Sequence, residues 1–358
     1  MALALALAGS AAGCYGSTRP VVKLGLIAPF EELYREDGYA VLHAVRLALN
    51  EHNGRPDRRY NVALVALNDN GRPEEAALQA QKLGLDPAVW AVVGPIQSAT
   101  AQAAGPALAG FDLPWLALAA VEPAARRGGW SYAASPAQLA ERAVAELVRR
   151  LGPPSDRPWR VLVAADQPSA AAAAQATGSA QALAVEAWPA QADAVAAAVA
   201  AFDGVVWLGD AAGGAVVANA RPADRSLPLV GGPELASPVF RGRNVQPRAV
   251  FWLNDGVHPD RLSPAFVAAY EALAGRRPTA QAALAYDATR LALAAIEAVP
   301  RGGPTPRATV RTALETRLAQ GWEGVAGVFR WDALACDAFG CGRWVEPPSH
   351  VQDAMSAK

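Results

Sequence analysis

A chain of 358 residues is more than one ordinary hydrophobic core fills, and it suits two lobes of roughly 150 residues each. A formal net charge of -1 and a pI near 6.5 give no electrostatic footprint for nucleic acid or anionic lipid, so neither is an expected partner. The basic residues are almost all Arg, with Lys only at 23, 82 and 358, a bias that says nothing about phosphate recognition.

The chain opens on Met1-Ala2-Leu3-Ala4-Leu5-Ala6-Leu7-Ala8, followed by Gly9-Ser10-Ala11-Ala12-Gly13-Cys14. A short apolar run passing into small residues reads as an export signal. It looks like a lipoprotein signal, in which Cys14 becomes the lipidated first residue of the mature protein. An ordinary cleaved signal with an incidental Cys is the alternative, because no Lys or Arg precedes the run and Ala11 stands where Leu is commonest. Nothing further along approaches the ~18 continuous apolar residues of a spanning helix, so membrane contact is expected only through a lipid anchor.

Alternating β and α signals follow. Val21 to Ile27 reads as a strand, and Gly38 to Asn50 carries a helical stripe of Leu42, Val45 and Leu49 that stops at Gly54. Val62 to Leu67 is the next strand, and Pro73 with Glu74 and Glu75 opens a helix, where Pro loses no needed N–H and acidic groups suit the positive end. Two strand-and-turn units come next. Val89 to Val93 breaks at Gly94-Pro95 into Ile96-Gln97-Ser98-Ala99-Thr100, with Ser98 expected to cap a helix. Leu113 to Leu118 breaks into Ala119-Ala120-Val121-Glu122-Pro123. In a parallel sheet both turns fall at carboxyl ends of strands, where open α/β folds place ligands and free helix amides attract anions.

The cluster from Gly152 to Pro158 resembles a linker and opens a second series. Strands are expected at Val161 to Ala165, Leu183 to Ala187, Val205 to Leu208 and Pro228 to Val230, with a helix at Val195 to Phe202. Helices over Pro264 to Leu273 and Thr279 to Val299 follow. Cys336 and Cys341 flank a turn-forming insert, and in an exported protein they read as a local disulfide closing a small loop for ~2 kcal/mol. Only His43, His52, His258 and His350 are present, none at ligand spacing with a Cys, so no metal site is expected. No nucleophile elbow, phosphate loop or dinucleotide fingerprint occurs, so neither an enzyme nor a bound cofactor is expected.

Several segments, in order, resemble the branched-chain amino-acid binding protein family, the substrate-binding components of ABC importers. They are Lys23 to Phe30 with Tyr34 and Gly38; Asn68-Asp69-Asn70; Val93 to Thr100; Gly231-Gly232-Pro233-Glu234-Leu235-Ala236-Ser237-Pro238; Ala285 to Arg290; and Trp322 to Gly327 before Phe329-Arg330-Trp331-Asp332. The likeness spans roughly residues 20 to 345, and its weight lies in their order rather than in any one motif. It implies an α/β, type 1 periplasmic binding fold: two Rossmann-like lobes with parallel sheets, joined by three crossings near Ala133 to Pro136, Leu253 to Gly256 and Phe329 to Asp332. After an anchor region at 1–19, residues 20–134 and 257–328 would form one lobe, and 135–256 and 329–358 the other.

In relatives that bind amino acids, the ligand carboxylate rests on the helix start after a Gly-x-x-x-Ser turn and on a small-residue turn ending in Thr. The resemblance carries these roles to Ser98, Ala99 and Thr100, and to Ala119 and Val121, with Val121 standing where a hydroxyl is expected. Tyr34 matches the aromatic at the mouth of the first lobe, and Glu234 the acid that meets the ligand ammonium, with Asp210 on a neighbouring turn. The stretch Asp166 to Ala170 lacks the family's stacking Tyr and leaves Ser169 as its candidate. Tyr286 and Asp287, Trp115 and Trp207 read as structural. The expected role is therefore a lipid-anchored, extracytoplasmic receptor at the outer face of the membrane, probing for a small amino-acid-like or carboxylate solute as a monomer and passing it to an ABC permease. A sensory receptor of the same fold and an exported hydrolase are the competing readings.

Overall fold

A computed structural model describes residues 19–154, 156–165, 183–184, 192–256, 259–331, 342–344 and 351–353. The first half of the chain builds β1 (Val21–Ala28), α1 (Arg35–Gly54), β2 (Asn61–Asn68), α2 (Pro73–Leu85), β3 (Val89–Val93), α3 (Ser98–Gly110), β4 (Trp115–Ala117) and β5 (Gly129–Ser131). These strands form one parallel sheet in the order β2-β1-β3-β4-β5. The near-continuous apolar runs of β1 and β3 are what such a sheet demands, since both faces are covered by helices. Leu24 and Leu26 face one core with α1, whereas Ile27 and Val92 face the other with α2 and α3.

α4 (Pro136–Leu151), β6 (Val161–Ala165), β7 (Leu183–Ala184), α5 (Ala192–Ala200), β8 (Gly204–Leu208), α6 (Ala211–Asn219), β9 (Leu229–Gly231), α7 (Pro238–Arg243) and β10 (Val250–Leu253) build the second sheet. Its order is β14-β10-β9-β8-β6-β7, parallel except for the edge strand β14 (Val351–Asp353), which runs antiparallel to β10. The helix over Val195 to Phe202 is displaced toward Ala192, and Phe202 closes its end by donating to Val199 O at 3.2 Å.

The linker-like cluster 152–158 is not a boundary between lobes. α4 already packs Leu139, Val144 and Leu147 against Val161, Val206 and Val230 of the second sheet, so the cluster is a loop inside that lobe. Its composition reflects a helix stop: Gly152 adopts φ 74° and its carbonyl accepts from Trp159 Nε1 at 2.8 Å. α4 begins instead with a capping box, Ser135 Oγ accepting from Gln138 N and Gln138 Oε1 accepting from Ser135 N, at 3.2 and 3.1 Å.

After β10 the chain returns to the first sheet with α8 (Pro264–Ala274), α9 (Ala280–Ile296) and α10 (Pro306–Gln320), whose Phe266, Leu284, Leu291 and Leu314 join the core of α1. A small antiparallel sheet of β11 (Trp322–Gly324), β12 (Gly327–Trp331) and β13 (Gly342–Trp344) follows. Asp287, fully buried on α9, pins it by accepting from Val325 N at 2.9 Å and Ala326 N at 2.7 Å. Burial pushes the Asp287 carboxyl up to about 7 against those two amides. Among the described residues no helix is long and apolar enough to cross a membrane.

The chain passes between the sheets at Tyr132 to Ser135 and again at Asn254 to Gly256, and these passages touch: Asp255 Oδ1 accepts from Ala134 N at 2.9 Å. Gly256, at φ 71°, has room for no Cβ, which would sit 2.5 Å from Ala326 O.

Candidate functional site

The two sheets present their strand ends to each other across a cavity of about 190 Å³. That is below the ~300–1,000 Å³ of drug-sized pockets and suits a small metabolite. One wall comes from the turn after β3 and the start of α3, including Ile96, Gln97, Ser98 and Ala99, and from Leu118 to Ala120 after β4. The other comes from Leu208 to Ala211 after β8 and from Pro233, Glu234, Ala236 and Ser237 after β9. Asn254 and Asp255 line it from the second passage between the sheets.

Ser98 is the first residue of α3, not its cap: Gln97 holds the cap position and makes no side-chain capping bond. The helix thus starts one residue earlier than the Ser signal suggests. With Ala101 N bonded to Gln97 O at 2.9 Å, the amides of Ser98, Ala99 and Thr100 are left outside the helical ladder. α9 braces this turn, Gln281 Nε2 donating to Ile96 O at 2.8 Å.

Ser98, Ala99, Ala119, Tyr34, Asp210 and Glu234 are brought together on the cavity wall. Thr100 and Val121 are not. Thr100 is fully buried and its hydroxyl turns back to Gln97 O at 3.0 Å, satisfied within its own turn. Val121 is fully buried in the apolar cluster with Ile27, Leu108 and Trp115, so a β-branched hydrocarbon there fills core and makes no cavity wall. Cys14, Ser169, Cys336 and Cys341 lie outside the described residues.

Tyr34 crosses from the first lobe to pack on the apolar cluster of the second, whose members include Trp207 and Leu235. Burial, then the Asp210 charge, pushes its hydroxyl up to about 12, so it is a neutral phenol in the cleft. Asp210 caps α6, its Oδ1 accepting from Gly213 N at 2.6 Å, while its carbonyl accepts from Trp207 Nε1 at 2.8 Å. The turn chemistry and the place on the wall therefore coexist in one residue.

Sequence patterning passed over several wall residues. Asp37, on the first turn of α1, accepts from Ser237 Oγ at 2.7 Å, a direct hydrogen bond between the lobes. Burial pushes its carboxyl up to about 6, opposed first by that hydroxyl and then by Arg241. Asn254 and Asp255 follow β10 without a motif, and only their position at a strand end signals them. The Asn68-Asp69-Asn70 segment proves architectural: Asn68 Oδ1 accepts from Phe30 N at 2.8 Å and from Asn70 N at 3.0 Å, holding the ends of β1 and β2 together.

By structure the chain is similar to a leucine-binding protein from Thermotoga maritima, with 20% identity, 93% of this chain and 97% of the other covered and a TM-score of 0.73. It is also similar to a branched-chain amino-acid transporter substrate-binding protein from Streptococcus pneumoniae in complex with isoleucine, at 19% identity, 87% and 92% coverage and a TM-score of 0.67. A third is an ABC-transporter solute-binding protein from R. palustris in complex with 4-hydroxybenzoate, at 16% identity, 91% and 96% coverage and a TM-score of 0.70. These likenesses concern the fold. No curated protein sequence matches the chain. The sequence model described as periplasmic binding protein matches residues 21–220, more than half of the chain, and the chain belongs to that family.

Proposed function

We propose that the protein is an extracytoplasmic solute-binding component of an ABC importer that captures a small amino-acid-like or carboxylate metabolite between its lobes and delivers it to a permease. The observation that carries this reading is the cavity itself, walled by strand-end turns of both sheets, with the free amides at the start of α3 on one side and Glu234 on the other. A carboxylate on the first and an ammonium at the second would bridge the lobes. Bridging shifts the open and closed populations by the differential affinity of the ligand, and no bond need be made or broken. The reading takes residues 20–134 and 257–328 as one lobe and 135–256 with 329–358 as the other, and it makes the protein a binder and not an enzyme. Export behind the segment ending at Cys14, with lipidation of that residue, would hold it as a monomer beside its permease.

Mass spectrometry of solute carried through native purification, followed by calorimetry with amino acids and aromatic acids, tests the proposal. A bound metabolite released on unfolding is the expected result. An empty protein with no heat from any of these solutes would refute it.

A further inference from the structure

Among the described residues of the cavity wall, every side chain charged near neutral pH is a carboxylate: Asp37, Asp210, Glu234 and Asp255, with no Lys, Arg or His. Three of these are already engaged: Asp210 caps α6, Asp37 accepts from Ser237, and Glu234 has an interaction of its own. Asp255 is different. It is 5% exposed, its Oδ1 is engaged by Ala134 N, and its Oδ2 accepts no hydrogen bond. Next to it, Asn254 is 2% exposed and neither its amide nitrogen nor its amide oxygen has a partner.

A buried carboxylate and a buried carboxamide left in this state are costly, and native proteins keep such groups where a partner arrives. Burial raises the Asp255 carboxyl, against the Ala134 amide and the Arg142 charge, so the ionised form lacks full compensation without a ligand. A cationic N–H donor supplies what both residues lack, charge to Asp255 and a hydrogen bond to Asn254 Oδ1. A second anionic group would instead add like charge to a ring of four carboxylates. The isoleucine and 4-hydroxybenzoate held by the two structural neighbours carry no second cation.

We propose that the ligand bears a cationic nitrogen beyond any α-ammonium, held at the passage between the lobes by Asp255 and Asn254, and so is a dibasic amino acid or a short diamine. The inference rests on the solute-binding reading and narrows its ligand class.

Calorimetry on the full chain with arginine, ornithine, putrescine, leucine and 4-hydroxybenzoate tests it, repeated with Asp255→Asn and Asn254→Leu. Asp255→Asn keeps an oxygen for Ala134 N and so preserves the contact between the passages. At least one dication should bind about tenfold or more tighter than leucine, and Asp255→Asn should weaken it about tenfold, more than it weakens leucine. Tighter binding of ornithine than putrescine would place the carboxylate on α3; equal binding would assign recognition to the two nitrogens, and either supports the inference. Leucine or 4-hydroxybenzoate binding as tightly as every dication, or dication affinity indifferent to both substitutions, overturns the inference and leaves the solute-binding reading standing. Silence from all five solutes overturns the inference, and the solute-binding reading then stands or falls on whether a metabolite is carried through native purification.

Discussion

Ser237→Ala should open the cleft. The hydroxyl donates across the cavity to Asp37 at 2.7 Å, and each partner belongs to a different lobe. A hydrogen bond to a charged acceptor is worth about 1.5–3 kcal/mol net. Since 1.4 kcal/mol is about a tenfold change in an equilibrium constant, losing it lowers the closed-to-open ratio by about ten- to a hundredfold. Ser237 has a second task, capping α7 by accepting from Val239 N at 3.1 Å, and its loss costs about 1 kcal/mol. That cost falls on the second lobe whether open or closed and cancels from the ratio; it appears in the melting temperature instead. Spin labels at the exposed Leu78 on the first lobe and Val245 on the second would report the ratio as a distance distribution. A shift toward longer distances in Ser237→Ala is expected. A distribution identical to that of the parent protein, together with a lowered melting temperature, would show that Ser237 only caps α7 and that the contact with Asp37 does not hold the lobes.

Acidification from about pH 7.5 to about pH 5.5 should raise the melting temperature by a few degrees, against the usual carboxylate trend. Burial lifts Asp37 and Asp69 to about 6 and Asp287 to about 7, so the folded chain binds protons more tightly than the unfolded one and the cost of burying these charges is relieved as pH falls through that window. His43 and His52, lowered by burial, pull the other way, whereas Asp57, Asp86 and Asp203, lowered by Arg or Lys partners, act only at still lower pH. A melting temperature that falls steadily over this range would show that the histidines dominate. Gly94→Ala should cost roughly 3 kcal/mol or more by chemical denaturation, because the residue sits at φ 87° and its Cβ would lie 2.3 Å from Ile27 O. A loss under about 1 kcal/mol would mean the turn before α3 can relax. Arg221→Met should cost about 3 kcal/mol or more in the same assay, since the buried guanidinium satisfies the carbonyls of Ala218, Leu227, Gln246 and Ala249 at once. A neutral substitution would show that water replaces it.

The alternation of elements was legible because both sheets are covered on both faces. Runs such as Val89 to Val93 and Val205 to Leu208 must be apolar throughout, and periodicity reads them directly. The site was half legible. Ser98, Ala119, Asp210 and Glu234 sit on turns whose small residues and prolines mark strand ends, and the structure sets all four on one cavity. Thr100 misled because a hydroxyl in the first turn of a helix can face a ligand or its own backbone, and only the packing of α3 on α2 and Asp69 decides which. Val121 misled for the opposite reason: the turn after β4 buries it in the apolar layer behind the cavity. Asp37 was masked by the composition of a first helical turn, where Glu36 and Asp37 are expected on dipole grounds alone. Its role follows from Ser237, about two hundred residues away, and no local pattern contains that pairing.

Asn254 and Asp255 were hidden because the segment they occupy does two things. As a passage between the sheets it needs a buried acceptor for Ala134 N, and Asp255 Oδ1 supplies it. As cavity wall it sets Asp255 and the buried Asn254 amide beside whatever the lobes enclose; that amide has no hydrogen-bond partner, and beyond Ala134 N the Asp255 carboxylate is compensated by the Arg142 charge. A structural acceptor alone could be Asn or Ser at lower desolvation cost, so a carboxylate here is expensive, and the Arg142 charge offsets only part of that cost unless a ligand cation adds to it. The same side chain would then hold the ligand with one oxygen and the neighbouring passage with the other. Ligand charge and lobe geometry would thus be linked through a single carboxylate, and Asp255→Asn, which keeps the structural bond while removing the charge, is the substitution that separates the two roles.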